Sequence, residues 1–107
     1  MKIQFKYMNF VLGELSYENN TYIYNSNKEE EQKAKRATFG LLDYRLFNSV
    51  NKKSTQIFNE FLPFLNQSTR ADIKEKCHIE KEDSDFQKLT KMATNNISMG
   101  AYSISLF

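Results

Sequence analysis

Cys77 and His78 are the two side chains with the most reactive chemistry in this sequence. An imidazole can activate a thiol as a nucleophile, and both residue types bind zinc. The two residues are adjacent, however, and adjacent side chains on a helix point in different directions. The chain has one Cys and one His, so further zinc ligands of these types are missing. A partly buried thiol beside a surface imidazole explains the pair better, and we expect neither a catalytic residue nor a metal ligand.

Phosphate and cation binding are also poorly supported by the residue pattern. The three glycines, Gly13, Gly40 and Gly100, lie too far apart for a phosphate-binding loop or a dinucleotide fingerprint. Acidic residues cluster between positions 80 and 85, but this run lacks the central glycine of a calcium-binding loop. We interpret it as a solvated loop, and we predict no cofactor.

The net charge of +2 does not indicate nucleic-acid binding once it is divided along the chain. Residues 1–53 carry nine basic and six acidic side chains, and residues 54–107 carry six and seven. The basic residues between 28 and 36 share their segment with Glu29–Glu31, and such mixed charge is typical of a solvated face. Stacking of single-stranded bases on the tyrosines would need a basic groove around them. We therefore expect no direct nucleic-acid contact.

Length and composition favour one cytoplasmic domain over residues 1–107. A chain of 107 residues, 40% of them hydrophobic, can bury a modest core without disulfides. The longest apolar run, Phe10–Leu12, is far shorter than the roughly 20 residues of a membrane-spanning helix. The first residues lack the apolar block of a secretory signal, and a single cysteine suits a reducing compartment.

The first 25 residues predict an antiparallel meander. Apolar and polar residues alternate over Ile3–Tyr7, and Met8-Asn9 suits a turn. Two β-rich runs flank Asn19-Asn20, and Asn tolerates the left-handed backbone of tight hairpin turns. A short polar helix is predicted over 27–36, with a charged loop as the alternative, and residues 38–47 are predicted to be extended or irregular.

The second half predicts about three short helices and a final strand. An apolar stripe suggests a helix that begins at Ser54 or Thr55 and ends or kinks near Pro63, so that Phe64–Asn66 project from the break. Ser68 is the expected cap of a second helix that runs to about Cys77. A third helix begins with a Ser84–Gln87 capping box and ends at Asn95-Asn96. The last element is an alternating strand over 99–107 with Tyr102, Ile104 and Leu106 on one face. The predicted fold class is α+β, with the C-terminal strand returning to the sheet.

Four short motifs in this order resemble the N-terminal subdomain of HipA-type serine/threonine kinases. They are Gly13-Glu14-Leu15, Ile57–Pro63, Asp85–Leu89 and Gly100-Ala101-Tyr102. The resemblance extends over nearly the whole chain and stops where such a kinase continues into its catalytic core. A chain equal to this subdomain alone is similar to the HipS-like proteins of HipBST toxin–antitoxin systems.

The resemblance implies a non-catalytic antitoxin. HipS-like proteins bind a shortened kinase, HipT, and suppress its toxicity, while a helix-turn-helix protein, HipB, contributes DNA binding in the same system. The expected partners are therefore a HipT-like kinase and a HipB-like protein in a ternary complex, without a membrane or direct nucleic-acid contact. Two other classes stay open: a stand-alone adaptor, which would capture an unrelated partner, and a small enzyme, which would act on ATP.

The contact residues follow only in part from the resemblance. Family members are expected to insert a bulky aromatic residue beyond the Leu-Pro motif into the kinase site, but Asn66 stands at that position here. Phe64 and Leu65 are the substitutes available, and core positions are the alternative for both. The predicted partner contacts are Phe61, Phe64, Leu65, Asn66, Gln67, Tyr22 and Tyr24. For the tyrosines, cross-strand pairing within the hairpin is the competing interpretation.

Overall fold

A computed structural model describes residues 1–107 as a six-stranded antiparallel sheet with four helices. The strands are β1 Ile3–Tyr7, β2 Phe10–Glu18, β3 Thr21–Ser26, β4 Asn51–Ser54, β5 Ser98–Met99 and β6 Tyr102–Leu106. Their order across the sheet is β4-β3-β2-β1-β6-β5. The predicted α+β class, the N-terminal meander and the return of the C-terminal strand to the sheet are confirmed, because β6 pairs with β1.

The β2–β3 hairpin forms for the reason the sequence indicated. Glu18 pairs with Thr21, which leaves Asn19 and Asn20 as a two-residue loop with φ of +52° and +59°. Positive φ at both positions is the type I′ geometry that matches the twist of the flanking strands. Met8 also adopts a positive φ, +52°, in the predicted turn between β1 and β2.

A β-bulge in β2 places Gly13 against the side chain of Tyr24. Phe5 pairs with Gly13 and Lys6 pairs with Val11, so Leu12 is the extra residue of the bulge. A Cβ atom on Gly13 would lie 2.3 Å from the Tyr24 hydroxyl oxygen and 2.6 Å from the Asn25 carbonyl oxygen. Only glycine fits at this contact, because a real Cβ never approaches other atoms so closely.

We predict that Gly13→Ala lowers the free energy of unfolding by about 1–3 kcal/mol, the usual cost of overpacking. The backbone oxygen of Asn25 cannot move without disturbing the pairing of β2 with β3. Urea denaturation followed by circular dichroism measures the change, and Gly40→Ala is the control. Gly40 has open space around its Cβ position, so the control tests only its positive φ of +79°. Equal stability of Gly13→Ala and the wild type would contradict the close contact.

The four helices are α1 Lys28–Ala37, α2 Leu62–Gln67, α3 Ala71–Cys77 and α4 Asp85–Thr94. The predicted α1 is confirmed, and the Asn27 side chain caps it by accepting a hydrogen bond from the backbone N–H of Glu30. The capping box of α4 is also confirmed. Ser84 Oγ accepts from the Gln87 N–H at 3.2 Å, and Gln87 Oε1 accepts from the Ser84 N–H at 2.7 Å. None of the helices is long and apolar enough to cross a membrane.

The predicted helix over 54–62 is wrong. Ser54 ends strand β4, Phe58 is extended with φ −69° and ψ 144°, and a 3₁₀ turn over Asn59–Phe61 leads into α2. Pro63 lies in the first turn of α2, where its missing N–H costs no hydrogen bond. The proline therefore begins a helix instead of ending one, and the apolar stripe is divided among an extended segment, the 3₁₀ turn and α2.

Two further boundaries differ from the prediction. Ser68 does not cap α3, which follows Arg70; its hydroxyl donates instead to the Leu65 carbonyl at the end of α2. The C-terminal segment is a hairpin of β5 and β6 rather than one strand. Gly100, with φ of +62°, and Ala101 form its two-residue turn.

The sheet and all four helices share one hydrophobic core of 18 buried residues. Each helix contributes to it, for example with Ala34 from α1, Phe64 from α2, Cys77 from α3 and Leu89 from α4. The sheet contributes aromatic side chains, above all Phe5 at the centre. This arrangement decides which of the predicted contact residues remain at the surface.

Candidate protein-binding surface

Phe61 and Phe64 lie in the core and not at the surface, which corrects their predicted role as partner contacts. Their side chains are 0% and 1% exposed. Phe61 packs on Phe5 with ring centroids 5.0 Å apart, and Phe64 meets the same ring edge-on at 6.5 Å. Both rings point inward because α2 begins at Leu62. The expected break at Pro63, which would have left Phe64 exposed, does not occur.

Tyr22 and Tyr24 are also core residues, which corrects their predicted role as contacts, and the cross-strand alternative holds for Tyr22. Tyr24 is fully buried and packs edge-on against Phe58 and Phe61 at 6.4 and 6.3 Å. Tyr22 is 7% exposed, pairs with Tyr17 across the hairpin, and packs against that ring at 4.5 Å. Neither tyrosine presents its ring to a partner.

The rest of the predicted segment does reach the surface, although unevenly. Asn66 is exposed, while Leu65 and Gln67 are half-buried. Leu62 and Pro63, which the prediction did not single out as contacts, are exposed at the start of α2. The exposed apolar side chains of this segment therefore lie at its beginning, and the exposed residue beyond the proline is the polar Asn66.

An apolar cavity of about 350 Å³ opens beside the start of α2. Phe5 of β1 and Phe64 of α2 are buried at its base, and Tyr44, Met99 and Tyr102 form half-buried walls. Glu60 and Pro63 complete the lining. Strands β1, β6 and β5 are neighbours in the sheet, so Phe5 of β1, Tyr102 of β6 and Met99 of β5 lie close together.

A second cleft, of about 320 Å³, is also bordered by Tyr102. It is lined by Tyr7, Thr38, Leu41, Leu42, Asp43 and Tyr102. Leu41 is 83% exposed, so its side chain is accessible to a partner. The two clefts share one aromatic side chain and form a continuous area, here called the Tyr102 surface: Tyr7, Leu41, Asp43, Glu60, Pro63, Met99 and Tyr102.

The Tyr102 surface carries negative charge without a cation of its own. Each cleft has one carboxylate, Glu60 or Asp43, and neither is lined by a Lys or Arg side chain. Neither carboxylate takes part in any of the four ion pairs of the chain. Burial raises the pKa of the Tyr102 hydroxyl, and the nearby Tyr7, Glu60 and Asp43 add to this effect.

Glu31 fixes the position of Tyr44, which lines the cavity, through a buried hydrogen bond. Its side chain is fully buried; it accepts a hydrogen bond from the Tyr44 hydroxyl and others from the Asn48 N–H at 3.2 and 3.3 Å. Burial raises the pKa of Glu31, and the hydrogen bonds from Tyr44 and Asn48 oppose that rise. The charge pattern predicts Glu31 on a solvated face, and this prediction is wrong. The one available signal was its position three residues before Ala34, on the same face of α1.

Cys77 and His78 do not form a reactive pair. The Cys77 side chain is 2% exposed, and burial raises the pKa of its thiol, which disfavours the nucleophilic thiolate. His78 is exposed and ends α3 in a left-handed conformation, with φ of +55°. No group of three His, Cys, Asp or Glu side chains is placed to hold a metal ion.

Asp83, in the acidic loop before α4, has internal partners instead of an ion. Its Oδ2 accepts from the Glu80 N–H at 2.8 Å and lies 2.6 Å from Lys91 Nζ. The backbone hydrogen bond from Glu80 and the contact with Lys91 hold the pKa of Asp83 below its ordinary value. A lowered pKa in the folded state stabilises the fold above the unfolded value of about 4, and this contribution is lost as the pH falls below it.

We therefore predict that Asp83→Asn is less stable than the wild type at pH 7 but loses less stability on acidification. Urea denaturation at a series of pH values from 7 to about 2.5 measures both effects. Glu82→Gln is the matched control, because Glu82 is exposed and belongs to no ion pair. Parallel pH profiles for Asp83→Asn and the wild type would contradict the proposed role of Asp83.

Comparisons with protein-family models, with curated proteins and with solved structures found no match.

Proposed function

We propose that this chain is a cytoplasmic, non-catalytic antitoxin-like subunit that binds and inhibits a HipT-like serine/threonine kinase. The observation that carries the proposal is the Tyr102 surface. It joins two apolar clefts to the start of α2, and α2 begins within the segment whose sequence resembles the HipA subdomain. The contact is between proteins, and the chemistry belongs to the partner.

Large exposed apolar side chains beside the clefts support protein binding. Leu41, which lines the second cleft, is 83% exposed, and Leu62 is 39% exposed next to Pro63, which lines the first. Concave apolar pockets beside protruding apolar side chains are typical of the central contacts of protein interfaces. Covering these side chains would remove apolar area from water, which is the main driving force of association.

Within this proposal, Leu62 and Pro63 take the role that the sequence suggested for Phe64 and Leu65. They are the exposed apolar residues of the α2 start, while Phe64 supports them from below as a base of the cavity. Asn66, Leu65 and Gln67 would lie at the margin of the contact. The kinase is blocked because this surface covers the entrance of its active site.

A HipB-like helix-turn-helix protein supplies DNA binding in the proposed assembly. The Tyr102 surface carries Asp43 and Glu60 and no basic side chain, which suits a protein partner better than a phosphate backbone. We therefore expect the Tyr102 surface to contact the kinase, and DNA to be bound only by the HipB-like protein.

Co-expression tests the proposal. The chain is produced with the kinase and the helix-turn-helix protein encoded beside it, and complexes are separated by size-exclusion chromatography with light scattering. We expect one copy of the chain per kinase, whether or not the DNA-binding protein is present. Elution of the chain apart from the kinase would contradict the proposal, as would neighbouring genes that encode no such kinase. Stable capture of an unrelated protein in place of the kinase would favour the adaptor instead.

A further inference from the structure

We propose that the 350 Å³ cavity beside α2 is a binding pocket for an arginine side chain of a partner protein. The pocket lies within the Tyr102 surface, so the identification of the kinase as the carrier of this arginine rests on the proposed function. The binding of an arginine side chain to the pocket does not.

Aromatic rings form most of the pocket. Phe5 is the central ring: its centroid lies 5.4 Å from that of Tyr102, with the planes only 11° apart, and 6.1 Å from that of Tyr44. Phe64 meets it edge-on, and the Met99 side chain adds a polarisable surface. Rings arranged around a small cavity attract a cation through their quadrupoles, and the guanidinium group of arginine also stacks on ring faces.

Glu60 gives the pocket a carboxylate that has no cationic partner. One of its oxygens, Oε2, accepts from the Arg45 N–H at 2.7 Å, and no second hydrogen bond to this carboxylate is formed within the chain. Arg45 approaches only through its backbone, and its side chain does not line the pocket. The Glu60 carboxylate can therefore accept a further, charge-assisted hydrogen bond from a cationic group of a partner protein.

The lysines of this chain that lie over aromatic rings use rings outside the pocket. Lys2, Lys35 and Lys52 lie over Phe107, Phe47 and Phe58, at 5.9, 5.1 and 6.0 Å. The pocket rings have no such cation, although the pocket contains a carboxylate. This charge pattern is complementary to a cationic side chain with an apolar stem. Arginine fits better than lysine, because its planar group can stack on a ring and donate to Glu60 at the same time.

Nuclear magnetic resonance of the whole chain tests the pocket directly. The protein is labelled at the methionine methyl groups and titrated with Nα-acetyl-arginine methylamide. Of the four methionines, only Met99 lines the pocket; Met92 is fully buried, and Met1 and Met8 are exposed elsewhere. We expect a saturable shift of the Met99 methyl signal, with the other three signals unchanged.

Two comparisons identify the chemistry. The citrulline analogue has the same shape without the charge, and we expect it to bind about tenfold more weakly. Glu60→Gln should also weaken arginine binding about tenfold, while its amide oxygen still accepts the Arg45 N–H. Glu82→Gln is the matched control, because Glu82 is exposed, belongs to no ion pair and lines neither cleft, and we expect a change of less than about twofold.

Equal binding of arginine and citrulline, an unmoved Met99 signal, or no effect of Glu60→Gln would overturn the arginine pocket. Tighter binding of the lysine analogue than of the arginine analogue would also overturn it. The result separates this inference from the proposed function. If arginine binds but the kinase does not, the pocket stands and the kinase is excluded as its partner.

Discussion

Replacing Phe64 with alanine should lower the free energy of unfolding by about 3–5 kcal/mol, the usual cost of deleting a buried phenylalanine ring. The side chain is 1% exposed and packs edge-on against Phe5, so its loss opens a void in the centre of the core. Domains of this size have a total stability of about 5–15 kcal/mol, so this loss is a large share of it. An exposed contact residue, as the sequence suggested, would cost almost nothing.

Urea denaturation followed by circular dichroism measures this change. Leu62→Ala is the matched control, since Leu62 lies in the same helix and is 39% exposed; we expect it to cost less than about 1 kcal/mol. If Phe64→Ala does not fold, Phe64→Leu gives an intermediate loss that can still be measured. Wild-type stability of Phe64→Ala would place the ring outside the core and contradict the structure.

Leu41→Asp should weaken binding to the kinase by about tenfold to a hundredfold, as expected for a central apolar contact. Leu41 is 83% exposed and lines the second cleft next to Tyr102, so the substitution introduces a charge into the contact without disturbing the core. Isothermal titration calorimetry measures the affinity, and the melting temperature verifies that the variant is folded.

Val50→Asp is the matched control for Leu41→Asp. Val50 is 61% exposed and immediately precedes β4, at the edge of the sheet. β4 is four strand spacings from β6, a distance of about 19 Å for adjacent strands 4.8 Å apart. We expect the control to bind like the wild type. An equal loss in both variants, or none in Leu41→Asp, would show that the Tyr102 surface is not the contact.

The elements that the sequence predicted well are those decided by local chemistry. The capping box at Ser84 and Gln87 depends on side chains that satisfy nearby backbone groups, and it forms as predicted. The Asn19-Asn20 turn depends on the tolerance of asparagine for positive φ. These signals are contained within a few residues, so tertiary contacts do not override them.

Pro63 and Glu31 show why the rest could not be predicted. A proline can end one helix or begin the next. Here Asn51–Ser54 pairs with β3 as the edge strand, so the predicted helix before Pro63 does not form and the proline begins α2. Glu31 is buried only because Tyr44 and Asn48, 13 and 17 residues away, donate hydrogen bonds to it. No local pattern contains either fact.

The site was predicted less well than the fold for the same reason. The sequence suggested Phe61 and Phe64 as exposed contacts, but both are buried, whereas Leu62 and Pro63 between them are exposed. The clefts around Tyr102 combine side chains from β1, β5, β6, α2 and the segment after α1. A surface assembled from so many elements has no linear signature, and only the structure brings its residues together.

Inhibition of the kinase by the purified chain tests the central claim most directly. A HipT-like kinase encoded beside the chain is assayed for autophosphorylation while the wild-type chain, Leu41→Asp or Val50→Asp is added. We predict that activity falls to its minimum at one wild-type chain per kinase, that Val50→Asp acts alike, and that Leu41→Asp requires a higher concentration by the factor lost in binding. Full kinase activity in a molar excess of the wild-type chain would contradict the account.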